Sequence, residues 1–175
     1  MNTLNLNVRT GLRLVAFVLS FAFAGWSAAP AAAAPVRLPA SQVLENLTED
    51  LEEVVETARE RMERVVTRAS FYLEERAERG QSRAKLQKYA DGQKKSLRSI
   101  ARSGLAQTNR IVGNGMFQLR RAPGYERDMQ NELFFQQDVA VDGLDDAVDE
   151  FSEALDRAVD EALAAVEEEG AGSDD

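Results

Sequence analysis

The chain has 175 residues, with 30 acidic and 21 basic side chains, a formal net charge of −9, and neither cysteine nor histidine. This composition excludes disulfides, a Cys-linked lipid anchor, Ser-His-Asp and Cys-His catalysis, and most zinc sites. The negative charge also argues against a nucleic-acid-binding protein. We therefore expect no catalytic residue, no cofactor and no small-molecule substrate.

The N-terminal segment has the organisation of a secretory signal peptide spanning residues 1–33. Its first thirteen residues carry two arginines and no acid, a mostly apolar run of similar length follows, and small residues and proline lead up to Pro35. This order predicts export to the periplasm or extracellular space, with cleavage near Ala33. The alternative is an uncleaved membrane anchor, although the apolar run is shorter than the about twenty residues that a span needs.

The remainder of the chain is predicted to be an all-α domain with a net charge of −11, because loss of two arginines leaves 19 basic against 30 acidic residues. A short extended lead covers 34–40, a single helical domain covers 41–169, and a disordered acidic tail covers 170–175. Within the domain, helices are expected at about 41–79, 82–112, 126–137 and 143–168. The architecture expected is an elongated, coiled-coil-like bundle.

An eleven-residue repeat marks the last predicted helix. Residues 144–154 read LDDAVDEFSEA and residues 155–165 read LDRAVDEALAA, and apolar residues from Leu44 to Leu73 follow the same spacing. Eleven residues complete three helical turns, so the apolar positions stay on one face. The spacing resembles that of hendecad coiled coils and is specific to no family. The predicted apolar interaction stripe comprises Leu144, Val148, Phe151, Leu155, Val159 and Ala162.

The boundary between the first two helices is predicted at Gly80. Glycine can take the left-handed conformation that closes a helix, and Ser82 can cap the next one. A turn here would form a long antiparallel hairpin in which residues whose numbers sum to about 162 lie level, for example Lys88 beside Glu74. The alternative is one continuous helix through Gly80.

Two further breaks are predicted, one from glycine and one from a capping aspartate. The sequence Gly113-Asn114-Gly115 is expected to end the second helix, and residues 138–142 are expected to separate the third helix from the repeat helix, with Asp142 as its cap. Both predictions depend on the low helix propensity of glycine and on the capping ability of aspartate.

A basic stripe on the second helix is the main candidate binding surface. It comprises Lys85, Lys88, Lys95, Arg98 and Arg102. We expect it to pair internally with the acidic helices; the alternative is docking to an anionic lipid or acidic polymer. The apolar cluster of Phe117 and residues 133–135 is expected to close one end of the bundle.

The segment DVAVDGLDDAVD, residues 138–149, resembles an EF-hand or dockerin-type calcium loop in part. The carboxylates of Asp138, Asp142, Asp146 and Asp149 match ligand positions, but Ala140 supplies no ligand where one is required. We favour a helix cap followed by an acidic first turn, and retain weak calcium binding as an alternative.

These features together predict an exported, non-enzymatic structural or interaction protein of the cell envelope. Its expected partner is a second copy of itself or another helical envelope protein, bound through apolar helix faces. One alternative is a reversible binder of anionic membrane surfaces that uses its amphipathic helices. A further alternative is a weakly calcium-responsive helical protein.

Overall fold

A computed structural model describes residues 37–171, with side chains through Glu167. The predicted signal peptide and the last four residues of the predicted tail lie outside the described residues. Between residues 37 and 171 the chain has three helices and no strand, and each helix packs against the other two. The predicted all-α class is confirmed. The helices are α1 (Ala40–Glu78), α2 (Arg83–Leu119) and α3 (Arg127–Ala171).

The first helix begins and ends at residues whose backbone conformation stops a helix. Pro39 precedes it with φ −64° and ψ 152°, and the Ala40 N–H donates to the carbonyl of Pro123, at 2.8 Å, in the α2–α3 connection. At the other end Gly80 has φ 72°, and the Gln81 N–H donates back to the Arg76 carbonyl. A left-handed glycine with this bond terminates a helix, so α1 and α2 are separate elements.

The predicted end of the second helix at residues 113–115 is wrong, because α2 continues to Leu119. Val112, Gly115 and Leu119 all face the core of the bundle, so continuation buries one more apolar turn. Each interior glycine costs about 1 kcal/mol relative to alanine, but packing of an amphipathic face supplies most of the stability of helices in proteins.

The predicted break at residues 138–142 is also wrong, because α3 is one helix of 45 residues. Leu133, Ala140 and Leu144 are at most 5% exposed, so the core-facing side of the helix is continuous through the segment. Asp142 therefore lies in the middle of a helix and caps nothing, and Gly143 is a helical residue that ends nothing.

In each helix a series of fully buried side chains recurs at intervals of eleven residues. At most 2% of each is exposed: Ala40, Leu51, Met62 and Leu73 in α1; Leu86, Leu97, Thr108 and Leu119 in α2; Leu133, Leu144 and Leu155 in α3. The α2 set was not predicted, because it includes a threonine. The hydroxyl of Thr108 has no hydrogen-bond partner among the described residues.

Two buried glycines of α2 receive leucine side chains from the neighbouring helices. A Cβ at Gly115 would lie 2.5 Å from a methyl group of Leu47 in α1, and a Cβ at Gly104 would lie 2.9 Å from a methyl group of Leu144 in α3. Real Cβ atoms essentially never approach so closely. These glycines therefore permit close contact of α2 with both neighbours.

Gly113 and Gly115 provide a matched pair of substitutions. Gly115→Ala is expected to destabilise the protein by about 1–3 kcal/mol, because the added methyl group displaces Leu47. Gly113→Ala is expected to stabilise it by about 0.5–1 kcal/mol, because Gly113 is exposed, has open space around it and is helical. Urea unfolding of both variants measures the difference. Destabilisation by both substitutions would contradict a helix that runs through Gly113.

Candidate interaction surfaces

The predicted basic stripe is exposed on α2, and two of its members, Arg98 and Arg102, also line a groove shared with Asp145 and Asp149 of α3. All five members, Lys85, Lys88, Lys95, Arg98 and Arg102, are exposed. None of them forms an ion pair with another residue between positions 37 and 167. The predicted pairing of Lys88 with Glu74 is therefore not formed.

Other residues make the ion pairs between helices. Lys94 Nζ lies 2.6 Å from a carboxylate oxygen of Asp156, Arg83 pairs with Asp160, and Arg59 of α1 pairs with a glutamate of α3. Lys94 is the most buried of these cations, with 17% of its side chain exposed. These pairs connect α3 to both neighbours.

The hydrogen bonds of the Asp156 carboxyl lower its pKa. The hydrogen bond from Lys94 and a second one from the Gln87 amide, at 2.9 Å, hold its pKa below the ordinary value of 3.8. Both bonds favour the ionised form. The side chain is 48% exposed, so solvent screens the pair strongly.

The charges of the three helices are strongly segregated. α2 has eight basic residues and one acid, a net charge of +7. α1 has eleven acids and five basic residues, a net charge of −6, and α3 has fifteen acids and two arginines, a net charge of −13. One side of the bundle is therefore basic and the opposite side is acidic.

The predicted apolar interaction stripe of α3 lies inside the bundle. Leu144, Leu155, Val159 and Ala162 are at most 2% exposed, and the remaining two members, Val148 and Phe151, are half-buried. α1 and α2 cover these side chains. The apolar stripe of an amphipathic helix would be exposed on a single helix, but in a bundle it packs inward and forms part of the core. Of the six members, Phe151 also lines the groove between α1 and α3.

A groove of about 710 Å³ runs between α1 and α3 and is lined by residues of these two helices alone. Its floor is apolar and includes Leu51, Val55, Ala140 and Val139, of which Val139 is 50% exposed. Gly143 also lines the groove, and a Cβ at this position would be in ordinary van der Waals contact, 3.4 Å, with a Val55 methyl group. The groove was not predicted, since it depends on Gly143 lying within a helix.

Carboxylates dominate the rim of this groove. Five glutamates line it, all of them exposed: Glu52, Glu56, Glu60, Glu63 and Glu150. Arg59 is the one basic lining residue; its guanidinium pairs with Glu150 and lies 5.9 Å from the centre of the Phe151 ring. An apolar floor with an acidic rim suits an apolar group that carries positive charge.

The predicted aromatic cluster is mostly on the surface. Leu133 is fully buried, but Phe117, Phe134 and Phe135 are 59%, 40% and 60% exposed. The expectation that the phenylalanines close the bundle is therefore wrong, because their positions on α2 and α3 face away from the core. The guanidinium of Arg121 lies 3.7 Å from the centre of the Phe117 ring. Sequence reasoning missed Phe71 of α1, which is 64% exposed.

The four aspartates of the partial calcium motif are exposed along α3. Because the backbone is helical throughout residues 138–149, these side chains do not belong to the loop that wraps a calcium ion. Among the described residues there is no group of three or more acidic side chains placed to hold a metal ion.

No helix between residues 37 and 171 has an apolar stretch long enough to span a membrane. No protein-family model, no curated protein and no solved structure matches this chain.

Substitution Asp156→Asn is expected to lower the free energy of unfolding by about 0.2–1 kcal/mol at neutral pH, the range of an exposed ion pair. Because the folded-state pKa lies below 3.8, the stabilisation is fully present above that pH and is lost as pH falls through the folded-state value. Urea unfolding of wild type and variant from about pH 7 to about pH 2 measures the difference.

The control is Asp146→Asn, which removes an exposed carboxylate of α3 that makes no ion pair with a described residue. It is expected to change stability little. A difference between wild type and Asp156→Asn that persists unchanged at about pH 2 would contradict the ionic origin of the effect.

Proposed function

We propose that this chain is an exported, non-enzymatic interaction protein of the cell envelope or extracellular space that associates with copies of itself. The observation that carries the proposal is the charge segregation of the bundle. The basic outer face of α2 makes no ion pair through its five stripe residues within the described chain, while α1 and α3 carry net charges of −6 and −13. Complementary faces of this kind steer two copies together.

The non-enzymatic part of the proposal is supported by the side chains that the chain has. Histidine and cysteine are absent from its sequence. The carboxylates at the groove are exposed, whereas acid–base catalysis uses a carboxyl whose pKa is raised by an apolar environment. Export is supported by the order of charged, apolar and small residues in positions 1–33.

We further propose that α1 and α2 form an antiparallel hairpin. α3 then packs along this hairpin and runs in the same direction as α1. The support for this arrangement is the order of the contacts. Leu47 meets Gly115, whereas further along α1 the Tyr72 ring lies 6.5 Å from the Tyr89 ring. The eleven-residue spacing of the buried side chains supports hendecad packing of all three helices.

A second candidate function, reversible binding to an anionic membrane surface, is supported by the exposure of the five stripe residues. A stripe of lysine and arginine is attracted to anionic lipid. The acidic faces of α1 and α3 would be repelled by the same surface, although screening weakens this repulsion beyond about one Debye length. Self-association brings the basic face of one copy against an acidic face of another, so both faces gain counter-charges. It is therefore the first proposal.

Self-association is expected to be concentration-dependent and sensitive to salt. The protein is collected from the exported fraction of expressing cells, where its mass is expected to show loss of residues 1–33. Light scattering is expected to give a mass above that of a monomer at micromolar concentration and low salt. Raising the salt to about 1 M, where the Debye length is about 3 Å, is expected to dissociate it. A monomer under all conditions would exclude self-association, and an uncleaved chain retained in cells would exclude export.

Flotation with vesicles that contain anionic lipid tests the second function. If it operates, wild type co-floats at low salt, and changing Lys95, Arg98 and Arg102 to glutamate abolishes flotation. The matched control changes Arg61, Arg64 and Arg68, three exposed basic residues of α1, in the same way. It is expected to float like wild type, because these residues lie outside the stripe. Absence of wild-type flotation at low salt would exclude the lipid-binding function.

A further inference from the structure

We propose that the outer face of α2, centred on Phe117, docks into the groove between α1 and α3 of a second copy of this chain. The docking deepens the proposed self-association and rests on it. It specifies two different surfaces, one that inserts and one that receives.

The receiving surface is specific for an apolar group accompanied by positive charge. Its floor offers partly exposed apolar side chains, above all Val139, which is 50% exposed. Its rim offers five exposed glutamates against one arginine, Arg59, and that arginine is already paired with Glu150. An uncharged apolar partner would leave the remaining carboxylates of the rim without counter-charges. A partner with charged groups alone would leave the apolar floor of the groove exposed to water.

Phe117 is the exposed aromatic side chain that fits this description. Its ring is 59% exposed, and the guanidinium of Arg121, one helical turn further on, lies 3.7 Å from its centre. Arg110, two turns before Phe117, extends the same basic side of α2 and is also exposed. Phe117 and its neighbours therefore present an aromatic ring between positive charges.

The other exposed phenylalanines of the described chain have at least one carboxylate a helical turn away, although Phe71 also has Arg68 one turn before it. Phe71 is followed one helical turn later by Glu74 and Glu75, and Phe134 and Phe135 are followed by Asp138. These carboxylates would meet the glutamates of the rim, and such like-charge contacts oppose association. Phe117 is the candidate that brings no carboxylate into the groove.

The position of the two surfaces determines the kind of assembly. The groove is lined by α1 and α3 alone, and the exposed side of α2 faces away from the core that all three helices share. The two surfaces therefore lie on opposite sides of the bundle. Two copies cannot exchange both contacts with each other, so each contact is heterologous and leaves a free inserting face at one end and a free groove at the other. Such contacts predict a head-to-tail assembly, which is a ring if the rotation between copies closes and an open chain if it does not.

Two single substitutions test the docking. Phe117→Glu removes the inserting group, and Val139→Glu places a charge on the groove floor; both side chains are at least half exposed, so both variants are expected to fold, which circular dichroism checks. Each variant alone is expected to associate at least tenfold more weakly than wild type in sedimentation velocity. An equimolar mixture is expected to form a 1:1 heterodimer that does not grow further, because one intact inserting face meets one intact groove. Phe71→Glu is the control and is expected to associate like wild type.

The outcomes separate the docking from self-association itself. A monomeric wild type would overturn both. If Phe117→Glu and Val139→Glu both associate as strongly as wild type, this docking is overturned and self-association remains. The docking would also be overturned if both variants are monomeric and their mixture forms no heterodimer. That result would indicate that both substitutions disrupt one symmetric interface. Binding of an amphipathic peptide of arginine and phenylalanine by a monomeric wild type would assign the groove to a different protein partner.

Discussion

Close contact between leucine side chains and the glycines of α2 is the constraint on which the bundle depends. Leu47 of α1 occupies the space beside Gly115, and Leu144 of α3 occupies the space beside Gly104. A Cβ at either glycine would collide with the leucine, so the leucine fits only beside the glycine. Each contact therefore sets how two helices are aligned along their axes. The two contacts lie on different neighbours of α2, and together they determine how all three helices align.

The alignment of the helices also places the charges. Burial of one side of every helix leaves the polar residues outside, so α2 presents its net charge of +7 away from the core, and α1 and α3 present theirs on the other side. Ion pairs such as that of Lys94 with Asp156 join neighbouring helices at the boundary between these regions. The pairs are mostly exposed, so apolar packing supplies more of the stability. The surface charge left over is available for association.

Sequence reasoning succeeded where a pattern was local and failed where a glycine had two possible roles. It identified the all-α class, the separation of the first two helices at Gly80 and the basic composition of α2. It took Gly113-Asn114-Gly115 as a helix end, because a glycine that stops a helix and one that admits a neighbouring side chain, as Gly115 does, look alike in a sequence. The groove was missed because it forms only when α3 continues through residues 138–142, where a break was predicted. The stripe that includes Leu155 was predicted correctly as apolar but assigned to a partner, since periodicity does not show what covers a helix face.

The sequence by itself determined that the chain is helical, which side of each predicted helix is apolar and how the charge is distributed along the chain, because these properties depend on spacing and composition over a few turns. Only the tertiary structure decided that the basic stripe stays unpaired, that the repeat of α3 is core, and that Phe117 and the Val139 groove lie on opposite sides. These properties depend on which helix lies beside which and at what level. That alignment is set by contacts between residues far apart in the chain, such as Leu47 and Gly115, and local patterns do not encode it.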